Sequence, residues 1–228
     1  MSSKKIIVAL DGSNLNKIKK IVKDLKNEAH SFKIGYEFFF NHGILGYNQI
    51  KKISSKIFLD LKLHDIPNTV KNGILAIDKL KPILTTIHIS GGDEMMKVSM
   101  INRKYTKVLG VSILTSLDSK QTKKFYNEEK IERLIKKFSR EAKKQKLDGI
   151  VCSPKEIKIV RKIVGINFLI VTPGIRPQKL RKLNDDQKRV LTPSKAIELG
   201  ADLLVIGRPI TLSKNPLKVL KNINNSLT

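Results

Sequence analysis

Asp60, Lys62 and Asp65 place two carboxylates and an ammonium within six residues, in the stretch Phe58-Leu59-Asp60-Leu61-Lys62-Leu63-His64-Asp65-Ile66-Pro67-Asn68-Thr69. Groups of these types, held close together, can transfer a proton or stabilise charge as it develops. Their spacing decides whether they meet. Ile57, Leu59, Leu61 and Leu63 alternate with Phe58, Asp60 and Lys62, which is the period of a β-strand. On a strand, Asp60 and Lys62 point the same way, with Cα atoms about 7 Å apart. The opposite face is aliphatic, as it would be under a covering helix. A surface Asp–Lys pair on an edge strand would contribute only about 0–1 kcal/mol. Unpaired charge is costly to bury, so a charged tip on a strand that is greasy behind reads as a site.

The rest of the chain supplies elements to position it. Ile6 to Asp11 is apolar and ends in a carboxylate. Ile18, Ile21, Val22 and Leu25 follow at helical spacing, with Ser13 or Asn14 available as a cap. Phe32 to Gly35 is short and apolar apart from Lys33, and Gly46 to Lys56 reads as a helix. Pro67 suits the first turn of a helix running to about Leu80. Thr85 to Ser90 alternates again, and Gly91-Gly92 opens a helix with Asp93 and Glu94 in its first turn over Met95 and Met96. Val108 to Leu114 reads as a strand ending at Thr115-Ser116, and Asn127 to Lys146 as one amphipathic helix. Gly149 to Ser153, Phe168 to Thr172 and Leu203 to Ile206 are strand-like, while Ser153-Pro154, Thr192-Pro193 and Asn215-Pro216 begin helices. Eight strand-like runs alternating with helical ones predict parallel strands and a single (β/α)8 TIM barrel, one catalytic domain over residues 1–228. A doubly wound open sheet is the alternative, but no Gly-x-Gly-x-x-Gly turn follows the first strand. Ile175 to Val190 shows no clear element; a loop this long after the seventh strand suits a lid.

Nearly every strand candidate ends in something polar: Asp11, Lys33, Asp60 with Lys62, His88, Thr115, Ser153, Arg176 a little beyond the seventh, and Arg208. In a barrel these ends share the one face where barrel enzymes keep their sites. Gly207 lets backbone N–H groups approach an anion and Arg208 can grip it bidentately, with Gly174 and Arg176 nearby, which reads as a phosphate pocket. The plainer reading is a glycine turn beside a surface arginine. His64, Asp65 and His88 are a possible metal-ligand set, though a His near a strand end is more often a hydrogen-bonding residue. Cys152, among Ile150 and Val151, reads as a small buried residue.

Composition bounds the rest. One cysteine in 228 residues leaves no internal disulfide framework and suits a reducing cytoplasm. The opening apolar run, Ile6 to Leu10, is too short for a signal or membrane segment, and no apolar stretch approaches the roughly 18 residues of a membrane span. The net charge of +25 first suggests nucleic acid. Yet the lysines are spread over most helices, as in Lys17-Lys19-Lys20-Lys23-Lys26, with no basic arm and no aromatic–basic interleaving. General lysine enrichment, with no nucleic-acid partner, is the reading adopted; the positive field would still draw in small anions.

At this point the chain resembles the orotidine 5′-phosphate decarboxylase family of the bacterial type over nearly its whole length. Asp60-Leu61-Lys62-Leu63-His64-Asp65-Ile66-Pro67-Asn68-Thr69 is that family's signature, and the supporting pieces keep its order: Ala9-Leu10-Asp11, Phe32-Lys33-Ile34-Gly35, Leu114-Thr115-Ser116, Val171 to Pro177, Asn184-Asp185-Asp186-Gln187 and Val205-Ile206-Gly207-Arg208. The Asp-x-Lys-x-x-Asp core alone is shared with related sugar-phosphate decarboxylases and aldolases, some of them metal-dependent; the extension through Thr69 is far more specific. The resemblance implies conversion of orotidine 5′-monophosphate to uridine 5′-monophosphate and CO2, with no metal and no organic cofactor. It implies a charged network of Lys33, Asp60, Lys62 and Asp65, with Asp65 and Thr69 supplied by the partner subunit of a homodimer. It further implies that Asp11 and Lys33 hold the ribose hydroxyls and Thr115 meets the pyrimidine. Arg176, Gln187, Gly207 and Arg208 would serve the phosphate and its lid. The segment between Arg176 and Gln187 is a residue or two longer than the bacterial pattern.

Overall fold

The computed structural model describes residues 4–176 and 191–227. Eight parallel strands close on one another in chain order: β1 (Ile6–Leu10), β2 (Ser31–Ile34), β3 (Ile57–Leu63), β4 (Leu84–His88), β5 (Lys107–Val111), β6 (Gly149–Val151), β7 (Leu169–Thr172) and β8 (Leu203–Ile206), which pairs back onto β1. Between and after them, among the described residues, come α1 (Leu15–Leu25), α2 (Tyr36–Ile53), α3 (Pro67–Leu80), α4 (Asp93–Ser99), α5 (Ser119–Tyr126), α6 (Ile131–Lys144), α7 (Ile157–Val164), α8 (Pro193–Glu198), α9 (Arg208–Thr211) and α10 (Pro216–Asn225). This is the (β/α)8 barrel that the alternation predicts.

Strand alternation sorts the side chains into two cores. Inward-facing Ile7, Ala9, Phe58, Leu84, Leu109, Val171, Leu203 and Val205 fill the barrel. Outward-facing Ile6, Val8, Leu10, Ile34, Leu59 and Ile206 pack with helix residues such as Ile18, Val22, Phe38, Val70 and Ile74. With both faces covered, β1 is buried at every position. Helix starts follow their caps: the Asn14, Thr192 and Asn215 side chains accept from the backbone N–H groups of Lys17, Lys195 and Lys218.

Some boundaries differ from expectation. The helix expected from Gly46 is the second half of α2; Gly43, at φ 56, kinks it and breaks the periodicity that would have revealed the first half. The helix expected from Asn127 starts at Ile131, because Asn127, in the left-handed region at φ 52, caps a separate helix, α5, that the sequence reading did not include. The strand expected to reach Leu114 leaves the ladder after Val111.

Where the strands begin, carboxylates serve the backbone. Asp78, buried in the last turn of α3, accepts from the N–H groups of Lys104, Tyr105 and Thr106 at 2.8, 3.0 and 2.8 Å. Asp148 accepts from Val108 N–H and pairs with Arg103; Asp202 accepts from Ile170 N–H and pairs with Arg161. This end is built for stability, and the opposite end is left for chemistry. No helix among the described residues is long and apolar enough to cross a membrane.

Candidate active site

The Asp60–Lys62 stretch lies on β3, but not as a regular strand. Leu59 pairs with Thr85 of β4 and Leu63 with Ile87, so four steps along β3 stand against two along β4. The excess is a bulge containing Asp60, Leu61 and Lys62, and within it Lys62 adopts φ 42. A left-handed φ is unfavourable for a residue with a side chain, and such outliers cluster at functional sites. Asp60 and Lys62 still meet, as the alternation predicts, though through a bent backbone.

Asp60 is the hub. It is 7% exposed, and Lys62 Nζ lies 3.0 Å from each of its carboxylate oxygens. Lys33 Nζ, from β2, lies 3.4 Å from Oδ2, and the Thr86 hydroxyl, from β4, donates to Oδ1 at 2.8 Å. Burial alone would push the Asp60 carboxyl up. The Lys33 and Lys62 charges and the Lys62 and Thr86 hydrogen bonds outweigh it and hold the group below the usual carboxylate range. The result is a fixed anion between two ammonium groups.

The other strand ends converge on the same place. A cavity of about 360 Å³ is lined by Asp11 after β1, Lys33, Asp60, Lys62, Thr115 after β5, Arg176 after β7, and Gly207 and Arg208 after β8. Ala9, Phe58, Val111, Val151 and Val205 supply its apolar lining. At Gly207 a Cβ would come 3.3 Å from both Ala9 Cβ and Asp11 Oδ2, so the bare backbone keeps the ends of β8 and β1 close. Arg176 is buried and donates to the Ile175 carbonyl, while Ile175 bridges to Leu191. Cys152 also touches the cavity, but it is buried and burial pushes its thiol up, which suits the packing role expected of it.

Asp65 and Thr69 do not line this cavity. They line a second hollow of about 440 Å³ with Tyr36, His64 and His88, and Lys62 borders both. Asp65 Oδ1 accepts from Ile66 N–H at 2.6 Å. The His64 and His88 rings lie against each other, 5.2 Å between centroids. Burial first, then His64 and Lys62, pushes His88 down to about 4. Among the described residues no group of three or more His, Cys, Asp or Glu is placed to hold a metal ion, the set His64, Asp65 and His88 included. Gln187 and the expected lid beyond Arg176 fall in 177–190, outside the described residues.

Two contributors escape a sequence reading. Thr86 bonds Asp60, yet an uncharged Thr in a strand looks like a β-former; its one signal is that it shares the inward phase of His88. Tyr36 donates to the Leu61 carbonyl at 3.0 Å and sets its ring 5.7 Å from Lys62 Nζ. It lies in the half of α2 that the kink hides.

Comparison with known proteins agrees with this geometry. The family model for orotidine 5′-phosphate decarboxylase / HUMPS matches residues 4–223. The chain is 44% identical over 229 residues to an orotidine 5′-phosphate decarboxylase of Wigglesworthia glossinidia brevipalpis, covering 96% of this chain and 97% of the relative. It is 40% identical over 221 residues to that of Carboxydothermus hydrogenoformans, covering 93% and 91%. The crystal structure of orotidine 5′-phosphate decarboxylase from Lactobacillus acidophilus matches with a TM-score of 0.83 at 34% identity, over 99% of each chain. Signature, barrel and charged cavity together put this chain in the orotidine 5′-phosphate decarboxylase / HUMPS family.

Proposed function

We propose that this chain is a carboxy-lyase that converts orotidine 5′-monophosphate to uridine 5′-monophosphate and CO2, the last step of de novo UMP synthesis, without metal or organic cofactor. The observation that carries this reading is the Asp60 carboxylate held between Lys33 and Lys62 at the mouth of a cavity bordered by Arg176 and Arg208. Loss of CO2 breaks the bond to the ring carbon and leaves its electron pair there, in an sp² orbital that no imine delocalises. An ammonium aimed at that carbon stabilises the developing anion and then gives it a proton. Lys62 has that role. Asp60, beside the leaving carboxylate, repels it before the bond breaks and not after CO2 departs. Asp11 and Lys33 hold the ribose hydroxyls and Thr115 meets the pyrimidine. Gly207, Arg208 and Arg176, with Gln187, take the phosphate, whose remote binding energy serves the chemistry.

The working unit in this reading is a homodimer. Asp65 and Thr69 sit outside their own chain's cavity but in the hollow that Lys62 borders, as residues serving a partner's site would. Tyr36 lines that hollow with its ring stacked on Phe40, and Ile66 follows Asp65; the three are exposed, at 47%, 78% and 67%, apolar surface that a second copy would cover. With Asp65 of the other copy, two lysines and two aspartates sum to zero charge, so the network stays ionised as water leaves. The whole chain acts as one catalytic barrel domain, and a lone, buried cysteine suits a reducing cytoplasm. The test is direct. Purified protein, stripped with a chelator, is mixed with orotidine 5′-monophosphate and the absorbance of the pyrimidine is followed. A fall to that of the uridine product is expected. No change, or activity that returns only with added metal, overturns the reading.

A further inference from the structure

We propose that Thr86 is a positioning residue of this site: its hydroxyl replaces backbone pairing lost at the β3 bulge and sets the Asp60 carboxylate and the Lys62 backbone relative to each other. This rests on the decarboxylase reading above. Between the Leu59–Thr85 and Leu63–Ile87 pairs the β3–β4 ladder is interrupted, and Thr86 is the β4 residue facing that gap. The Lys62 N–H, inside the bulge, donates to Thr86 Oγ1 at 2.9 Å. The same oxygen gives its one proton to Asp60 Oδ1 at 2.8 Å. Donor and acceptor capacity are thus both used on the two residues that carry the charge. Thr86 is fully buried, so no solvent water competes for these two bonds. Its neighbour Thr85 is equally buried but donates to the Leu59 carbonyl at 2.9 Å, where the ladder is still regular. Lys62 holds a left-handed φ of 42, which a side-chain-bearing residue keeps only when its surroundings impose it. The Thr86 bond to its N–H is such a constraint, and it couples the ammonium's origin to the carboxylate it faces.

Two substitutions separate the hydroxyl from the methyl. Thr86→Val keeps the shape and removes the hydroxyl; Thr86→Ser keeps the hydroxyl and leaves a small hole. With orotidine 5′-monophosphate, Thr86→Val should lower kcat on the order of 10- to 100-fold, the scale of one hydrogen bond to a charged group. KM should change less than about threefold, because the loss falls on the chemical step. Thr86→Ser should stay within about threefold of the unaltered protein in both. A purely structural threonine gives the opposite order, with the hole worse than the isosteric change. Thr86→Ala, also without a hydroxyl, repeats the test should the valine variant not fold. Alongside, carbon NMR of the Asp60 carboxyl through acid pH should show it titrating higher in Thr86→Val than in Thr86→Ser, since a bond to its charged form is gone. Equal kcat in Thr86→Val and the unaltered protein, Thr86→Ser as impaired as Thr86→Val, or an unmoved Asp60 titration each overturns the proposal. An unaltered protein that leaves the substrate untouched refutes the decarboxylase reading alone, and the Asp60 titration then decides the role of Thr86.

Discussion

Asp60 stays ionised although it is nearly buried, because two ammonium groups and a hydroxyl point at it. In the proposed reaction Lys62 gives the proton to the ring carbanion, so Lys62→Ala should leave a folded protein that binds uridine 5′-monophosphate. Its kcat should fall on the order of 1000-fold or more. Steady-state kinetics check this, and retention of more than about a tenth of kcat would sink the assignment. Arg208→Ala should instead weaken binding of the phosphorylated substrate by about 1.5–3 kcal/mol, the range for a hydrogen bond to a charged group. Orotidine without its phosphate is the control: equal slowing of both substrates would show that Arg208 is no phosphate ligand. Asp60, Lys62 and Arg208 were legible because charged residues at strand ends have few reasons to be there. Thr86 was not, because its value lies in a neighbour 26 positions away that only pairing of β3 with β4 supplies.

At the scale of elements, the barrel's two ends use the same residue types differently. Asp60 gathers cations, whereas Asp78 gathers backbone N–H groups at the entry to β5. An acid in the last turn of α3 opposes the helix dipole, so its place is explained by those N–H groups. Burial raises the Asp78 carboxyl, but the bonds from Lys104, Tyr105 and Thr106 win and lower it. A carboxyl lowered on folding adds stability above its unfolded pKa, and that stability is lost as pH falls through the folded one. Asp78→Asn should therefore cost about 2 kcal/mol at pH 7. The gap to the unaltered protein should close as pH drops below about 4, where the unfolded carboxyl is already protonated. Denaturant melts at several pH values test this, and a gap unchanged in acid would contradict it. Most elements were legible from period and caps. The first half of α2 and all of α5 were not: Gly43 kinks α2 out of phase, and α5, whose one buried residue is Thr122, has no apolar period to show.

For the whole molecule, the proposed composite site makes a prediction that no single chain can satisfy. Lys62→Ala and Asp65→Ala proteins, each inactive, are mixed under conditions that exchange subunits. If Asp65 acts in trans, each hybrid dimer has one doubly damaged site and one intact site, and random exchange restores about a quarter of all sites. No recovery despite demonstrated exchange would refute the shared site while leaving the decarboxylase reading standing. Lys17, Lys20 and Lys23, which contribute to the +25 charge, stand exposed on α1. Read alone, the sequence determined the eightfold strand–helix alternation, the collection of polar strand ends at one barrel mouth and, through the Asp60 to Thr69 signature, the family. These are local properties, carried by period, caps and residue type. Only the tertiary structure decided that Lys33 closes on Asp60, that β3 bulges so that Lys62 turns left-handed opposite Thr86, and that Asp65 and Thr69 open into a different hollow from Asp60. Those outcomes depend on which strands lie side by side and in what register, and register is a contact between distant segments that no local pattern contains.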